Sequence, residues 1–154
     1  MASDESLSVY FVLRGWLAIS KTSPDGGRQI IDFVLPGNVF DPGSADALLS
    51  ATDVHALTDA RIALVPRDDW MRHLAEDQSA QDQLSRRLAA GYAAVAERML
   101  RLGKGSAATR IAYAICELGL RAGDLGLTCG EEFHLPLTQQ VLGDFVGLSS
   151  VHVS

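Results

Sequence analysis

Hydrophobic and polar positions alternate with a period of two over residues 9–35, then recur at intervals of three and four further along the chain. Val9–Leu13 and Trp16–Ser20 flank Arg14-Gly15, which predicts two strands joined as a hairpin. Ser23-Pro-Asp-Gly-Gly27 supplies a second turn, because proline and glycine provide the backbone angles that a reversal needs. Arg28–Leu35 reads as a third strand, closed by Pro36-Gly37, and Ala60–Val65 as another with Val54–Leu57 pairing near it. Short strands at this spacing predict an antiparallel sandwich or roll.

From Asp68 to Leu102 the pattern is helical. Leu88, Tyr92, Val95, Met99 and Leu102 follow alternating steps of four and three, an a/d seam that Leu84 extends. Two arrangements share this periodicity: two helices packed lengthwise, or one amphipathic helix lying on the strands. Gly103-Lys-Gly105 breaks the helix, and Ser106 caps the next one. Its apolar face is Ile111, Ala114, Ile115 and Leu118, with Cys116 expected on the buried side. Leu125–Cys129 and Phe133–Leu135, around Gly130-Glu131, read as a small hairpin leading into Pro136.

The segment Thr138–Ser154 carries the most specific pattern. Thr138 is an N-cap, and Leu142, Phe145 and Val146 form an apolar face behind it. Gly143 sits inside this helix, where glycine costs roughly 1 kcal/mol against alanine. Such a cost is tolerated where a second helix crosses too closely for a Cβ. Gly147 takes the left-handed conformation that ends the helix, Leu148 fills the gap between the helices, and Ser149 caps the second. This is a helix-turn-helix; a helical hairpin that only packs against its neighbours shares part of the pattern.

With its Leu135-Pro-Leu-Thr-Gln-Gln lead-in and Gly147-Leu-Ser-Ser-Val-His-Val centre, this segment resembles the Crp/Fnr family of transcription regulators. Val12-Leu-Arg-Gly-Trp16, Pro24-Asp-Gly26, Arg28-Gln-Ile30 and Phe33-Val-Leu-Pro-Gly37 resemble that family's effector domain, a cyclic-nucleotide-binding-type β-roll. The resemblance spans roughly residues 8–154 and implies an α+β fold. Its expected parts are a partial effector β-roll (jelly roll) over 1–76, a dimerisation helix over 77–102, and a winged helix-turn-helix over 103–154. The family has further strands before Val9 and an arginine after the position of Ser154, so the expectation is a chain truncated at both ends. The implied function of the complete protein is a homodimeric regulator that binds a palindromic operator when the roll senses a signal; residues 1–154 alone are expected to bind DNA weakly or not at all. RNA polymerase is among the partners the resemblance implies. The seam Leu88, Tyr92, Val95, Met99 and Leu102 would form the dimer interface. Thr138, Gln139, Gln140 and Ser149 would meet phosphates, and Ser150, Val151 and Ser154 base edges. The alternative is a dimerising sensor or interaction module that has lost DNA binding through truncation.

Charge supports that alternative. The chain of 154 residues has a net charge of −6, which argues against indiscriminate nucleic-acid binding. Residues 103–154 hold three cations (Lys104, Arg110, Arg121) against five acids (Glu117, Asp124, Glu131, Glu132, Asp144). A hydrophobic content of 47% with 21% charged residues indicates a folded globular protein. No apolar run approaches the ~20 residues that span a bilayer, and the polar, acidic N-terminus is no secretory signal, so a cytoplasmic location is expected.

The remaining chemistry is sparse. Cys116 and Cys129 do not make a zinc or iron–sulfur ligand set, and His55, His73, His134 and His152 lack metal spacing. Metal and cofactor are therefore expected to be absent, with His55 as a haem ligand the one conceivable exception. Nothing resembles a nucleophile–base set or a phosphate loop, so no enzyme activity is expected. In relatives that bind cyclic AMP, a Gly-Glu lies near the phosphate and an Arg-Ser pair follows it. Here Gly37-Asn38 and Ser50-Ala51 occupy those positions, and neither Arg61 nor Arg67 obviously substitutes, so cyclic-nucleotide binding is disfavoured.

Overall fold

The computed structural model describes residues 8–41, 52–130, 132–149 and 153. Six strands come first: β1 (Ser8–Arg14), β2 (Leu17–Thr22), β3 (Arg28–Val34), β4 (Val39–Phe40), β5 (Asp53–Ala56) and β6 (Arg61–Pro66). Helices α1 (Arg67–Glu76), α2 (Gln78–Lys104) and α3 (Ala107–Asp124) follow. A short hairpin, β7 (Thr128–Cys129) and β8 (Glu132–Phe133), leads to α4 (Gln139–Val146). The fold is α+β, with two three-stranded antiparallel sheets ordered β4-β1-β6 and β3-β2-β5 among the described residues.

The expected hairpin at Arg14-Gly15 does not form. β1 pairs with β4 and β6, whereas β2 pairs with β3 and β5, so the chain changes sheets between them. Gly15 permits the crossing: its φ is +82°, and a Cβ there would lie 2.3 Å from the Asp59 carbonyl oxygen. The Trp16 amide donates to Thr58 Oγ1 at 3.0 Å, and the Leu57 amide to the Trp16 carbonyl at 2.9 Å. The same division separates β5 from β6, which were expected to lie together. The turn at 23–27 forms as expected and joins β2 to β3, with the Ser23 amide donating to the Gly27 carbonyl at 2.8 Å.

Helix 68–102 is also not continuous. Asp77 takes an extended conformation (φ −121°, ψ 100°), and its carboxylate accepts from the Ala80 amide, capping α2. At about 1.5 Å per residue, the 27 residues of α2 run for about 40 Å.

Two apolar clusters hold these parts. Val12, Leu17 and Val34, with Ile19, Phe40 and Ile62 beside them, fill the space between the sheets. The opposite face of the second sheet presents Trp16, Ala18, Ile30, Phe33 and Leu35 to Ala114, Leu118, Phe145 and Val146 of α3 and α4. Strands and C-terminal helices therefore share one core. On α3 the buried face is Ala114, Glu117, Leu118 and Ala122, while Ile115 and Cys116 are exposed. The expectation of a buried Cys116 is thus overturned, because Glu117 takes the inward position beside Leu118.

Candidate nucleic-acid interface

Within the described residues, α4 and the turn after it have visible local causes. Thr138 Oγ1 accepts from the Val141 amide at 3.2 Å, which caps α4. Gly147 ends the helix in the left-handed region (φ 65°, ψ 43°), a conformation that carries little cost only for glycine. At Gly143 a Cβ would stand 2.6 Å from the Leu148 carbonyl oxygen and 3.6 Å from a Val153 methyl. The contact that excludes a Cβ is thus made by the turn at Leu148 and not by a crossing second helix, whose described residue Val153 lies at ordinary van der Waals distance. Leu148 packs against the shared core, and Val153, half-buried and helical, lies over α4. Phe145 is buried with its ring 4.7 Å from that of Phe33.

This packing leaves Thr138, Gln139, Gln140 and Ser149 exposed at the outer end of the motif. Ser150, Val151 and Ser154 lie outside the described residues. Hydroxyl and amide groups in this position can donate to phosphates without reading sequence. The nearby charges are mostly committed internally. Arg110 donates to the Gly105 carbonyl at 3.1 Å and to the Gly147 carbonyl at 3.4 Å. Arg121 Nη1 lies 2.7 Å from Asp32, and Arg28 reaches Asp144 of α4 at 2.6 Å.

The α2 seam is the second exposed feature. Leu88, Tyr92, Val95 and Met99 are 66%, 80%, 38% and 68% exposed, and α2 buries none of its residues. An amphipathic helix lying on the roll would have covered these side chains, so that arrangement is overturned. Polar ties hold α2 to the roll instead, including Arg87 to the Gly37 carbonyl at 3.0 Å and Arg98 to the Ile31 carbonyl. Leu102 departs from the seam: it is half-buried and turns toward Gly147 of its own chain.

One charged cluster was missed from the sequence. Glu117 is buried among Arg98, Arg121 and Asp32, with Arg98 Nε at 3.5 Å and Arg121 Nη1 at 3.7 Å. Both distances are too long for good hydrogen bonds, and both carboxylate oxygens lack such a partner. Loss of hydration raises the Glu117 pKa, and the two arginines only partly offset it. Arg98 also lies over the Phe145 ring at 5.1 Å, so it touches β3, α3 and α4 from α2.

At the position where relatives carry Gly-Glu, Asn38 Oδ1 accepts from the Leu35 amide at 3.1 Å and closes the turn. Arg67 pairs with Asp41 at 3.5 Å, and Arg61 is exposed at the start of β6. Ser50 and Ala51 lie outside the described residues. Cys129 is exposed, and His55 is half-buried on β5 opposite Ala18. Among the described residues no helix is long and apolar enough to cross a membrane.

Residues 2–77 match the cyclic nucleotide-binding domain family. The chain is 31% identical over 144 residues to a probable transcriptional activator of Rhizobium leguminosarum bv. viciae, covering 93% of this chain and 58% of that protein. It is 28% identical to the nitrogen fixation regulation protein FixK of Azorhizobium caulinodans, covering 96% and 58% of the two. The solved structure of FixK2 from Bradyrhizobium japonicum superposes with a TM-score of 0.79 at 28% identity, covering 97% of this chain and 72% of that one. The chain thus spans 58% of the length of these two curated relatives. A roll of this type, a long helix and a helix-turn-helix occur here in one order, matched along nearly the whole chain by named regulators. Along nearly its whole length the chain is similar to transcription regulators of the FixK type, and its first half to the cyclic nucleotide-binding domain.

Proposed function

We propose that this chain is the sensing, dimerising and DNA-contacting part of a Crp/Fnr-type transcription regulator, working as a homodimer on a palindromic operator. The carrying observation is the outward face of the helix-turn-helix. A capped α4, a left-handed Gly147 and a Gly143 where a Cβ would stand 2.6 Å from the Leu148 carbonyl oxygen leave Thr138, Gln139, Gln140 and Ser149 in solvent. The uncovered seam Leu88, Tyr92, Val95 and Met99 supports pairing of two copies through α2. Two-fold pairing would set two such motifs on one face of a duplex, with half-sites about one helical turn apart. Thr138, Gln139, Gln140 and Ser149 would fix register on phosphates, and Ser150, Val151 and Ser154 would touch base edges. A signal in the roll would alter the relation between the two motifs. Cytoplasmic location and RNA polymerase as a partner follow from the same reading.

The signal is not a cyclic nucleotide on this proposal, because Asn38 is committed to its own turn and Arg67 to Asp41. Calorimetry with cyclic AMP should show no saturable binding at micromolar concentrations; one site per chain would refute this. For DNA binding, the test is selection from a random duplex library at low salt. An enriched inverted repeat with half-sites one turn apart is the expected result. Enrichment of no sequence, or of an unrepeated one, would refute the dimeric operator reading.

A further inference from the structure

Among the described residues β3 is the edge of its sheet, paired only with β2. An edge strand leaves alternate backbone groups without a ladder partner, and along β3 side chains from the helices take them. The Ile31 carbonyl accepts from Arg98 of α2, and the Phe33 carbonyl from Arg121 of α3 at 2.5 Å. Between them the Asp32 carboxylate meets Arg121 at 2.7 Å and Arg98 at 3.5 Å. Toward the start of the strand, Arg28 binds Asp144 of α4, and Gln29 Nε2 donates to the Phe145 carbonyl at 3.1 Å. One strand of the sensing roll therefore touches all three elements that carry and position the helix-turn-helix.

We propose that the β3 edge is a transmission rail. It holds α3 and α4 in the orientation competent for DNA, and a change in the roll alters DNA affinity by moving this strand. The proposal rests on the DNA-binding reading above. Three features give its direction. Docking on β3 leaves Thr138, Gln139, Gln140 and Ser149 in solvent, so the contact does not mask the DNA face. The pairing with Arg28 neutralises Asp144, an acid on the first helix of the motif that would otherwise repel phosphate. Gln29 and Arg110 together occupy the Phe145 and Gly147 carbonyls, which fixes the turn after α4. The apolar cluster around Phe33 and Phe145 supplies adhesion, while the polar contacts at residues 28, 29, 31, 32 and 33 set register.

The experiment pairs hydrogen exchange with DNA binding, using the whole chain as wild type, R28E and the charge-swapped double variant R28E/D144K. Exchange of amides in residues 139–149 is followed by mass spectrometry. In R28E it should accelerate roughly five-fold, the size that a partly exposed ion pair supports. The β1–β6 pairing should remain unchanged, and the double variant should restore slow exchange. The DNA readout is the affinity ratio between an operator selected by the wild-type chain and a scrambled duplex, which cancels the effect of added charge. This ratio should fall several-fold in R28E and recover in the double variant. Unchanged exchange in R28E overturns the rail. Faster exchange with an unchanged ratio overturns transmission, leaving β3 a structural support. If the wild-type chain selects no operator, the DNA-binding reading fails and transmission falls with it, whatever the exchange data show.

Discussion

Replacing Gly143 by alanine tests the central geometry of the motif through the sign of a stability change. On helix propensity alone the substitution stabilises α4 by about 1 kcal/mol. The structure opposes this gain. A Cβ at Gly143 would lie 2.6 Å from the Leu148 carbonyl oxygen, a backbone atom that cannot rotate away. The turn is also tied to the same residue, since the Leu148 amide donates to the Gly143 carbonyl at 2.9 Å. Overpacking of this kind costs about 1–3 kcal/mol, and a backbone contact belongs at the upper end. The expected net effect is a loss of about 1–2 kcal/mol, which lowers Tm by roughly 2–8 °C in a chain of this size. Gly103 is the control: it lies in the last turn of α2, where an added Cβ meets nothing within 4 Å. Gly103→Ala should be neutral or stabilising by up to about 1 kcal/mol. Differential scanning calorimetry on the two variants therefore gives opposite shifts. If Gly143→Ala raises Tm as much as Gly103→Ala, the turn does not press on α4 and the close-contact argument is wrong.

Replacing both Val95 and Met99 with glutamate should convert a dimer to monomers. Each buried large apolar side chain contributes about 1.5–3 kcal/mol, and like charges would face each other across the pair. Light scattering that shows a monomer before any substitution would sink the dimer. Glu117→Gln should gain stability relative to wild type as pH rises. The folded-state pKa of Glu117 is raised, so its stabilising contribution is present below the ordinary value of 4.5 and is lost as pH climbs through the folded value. Denaturant melts at several pH values check this, and a gap that narrows from pH 4 to 7 refutes it. The salt dependence of DNA binding should be shallow, because Arg28, Arg110 and Arg121 are committed within the chain. With few phosphates neutralised by side-chain cations, the slope of log K against log salt should be weaker than about −3 per chain, and a steeper one refutes this.

Local features of the fold were legible because their causes lie within a few residues. The caps at Ser106 and Thr138, the 23–27 turn and the left-handed Gly147 each depend on backbone chemistry that a short window contains. Strand pairing was not legible in the same way. The Arg14-Gly15 pair has hairpin composition, but Gly15 is required for a close passage beside Asp59 and Ala60, more than forty residues away. The break at Asp77 has neither proline nor glycine to announce it, only a carboxylate that caps the next helix. On α3 the apolar pattern pointed to Ile115, whereas the buried position belongs to Glu117, which lies near arginines of α2 and α3. In the candidate interface, Gly143 and Thr138 were readable, but the partners of Arg28 and Arg121 were not. Those pairs join residues 116 and 89 positions apart, and nothing in the alternation of β3 marks its polar residues as anything but solvent-facing.

The same long-range pairs change the meaning of the acidic balance. Counted along residues 103–154, three cations against five acids argue that the segment repels DNA. Counted in space, Asp144 faces Arg28 from the roll, and Glu117 lies buried between Arg98 and Arg121. Of the five acids, Asp144 is thus paired with β3 and Glu117 is buried within the chain. Net charge measures what a whole chain offers a distant polyanion, whereas recognition depends on which groups the fold leaves outward. Here the outward groups around the α4 cap are a hydroxyl and amides rather than cations, at Thr138, Gln139 and Gln140. Such a surface suits contacts that fix orientation, and strong nonspecific attraction is not what it is built to supply. An acidic chain and the proposed DNA-contacting motif are therefore compatible, because Asp144 and Glu117 are engaged inside the fold while Thr138, Gln139 and Gln140 stay outward.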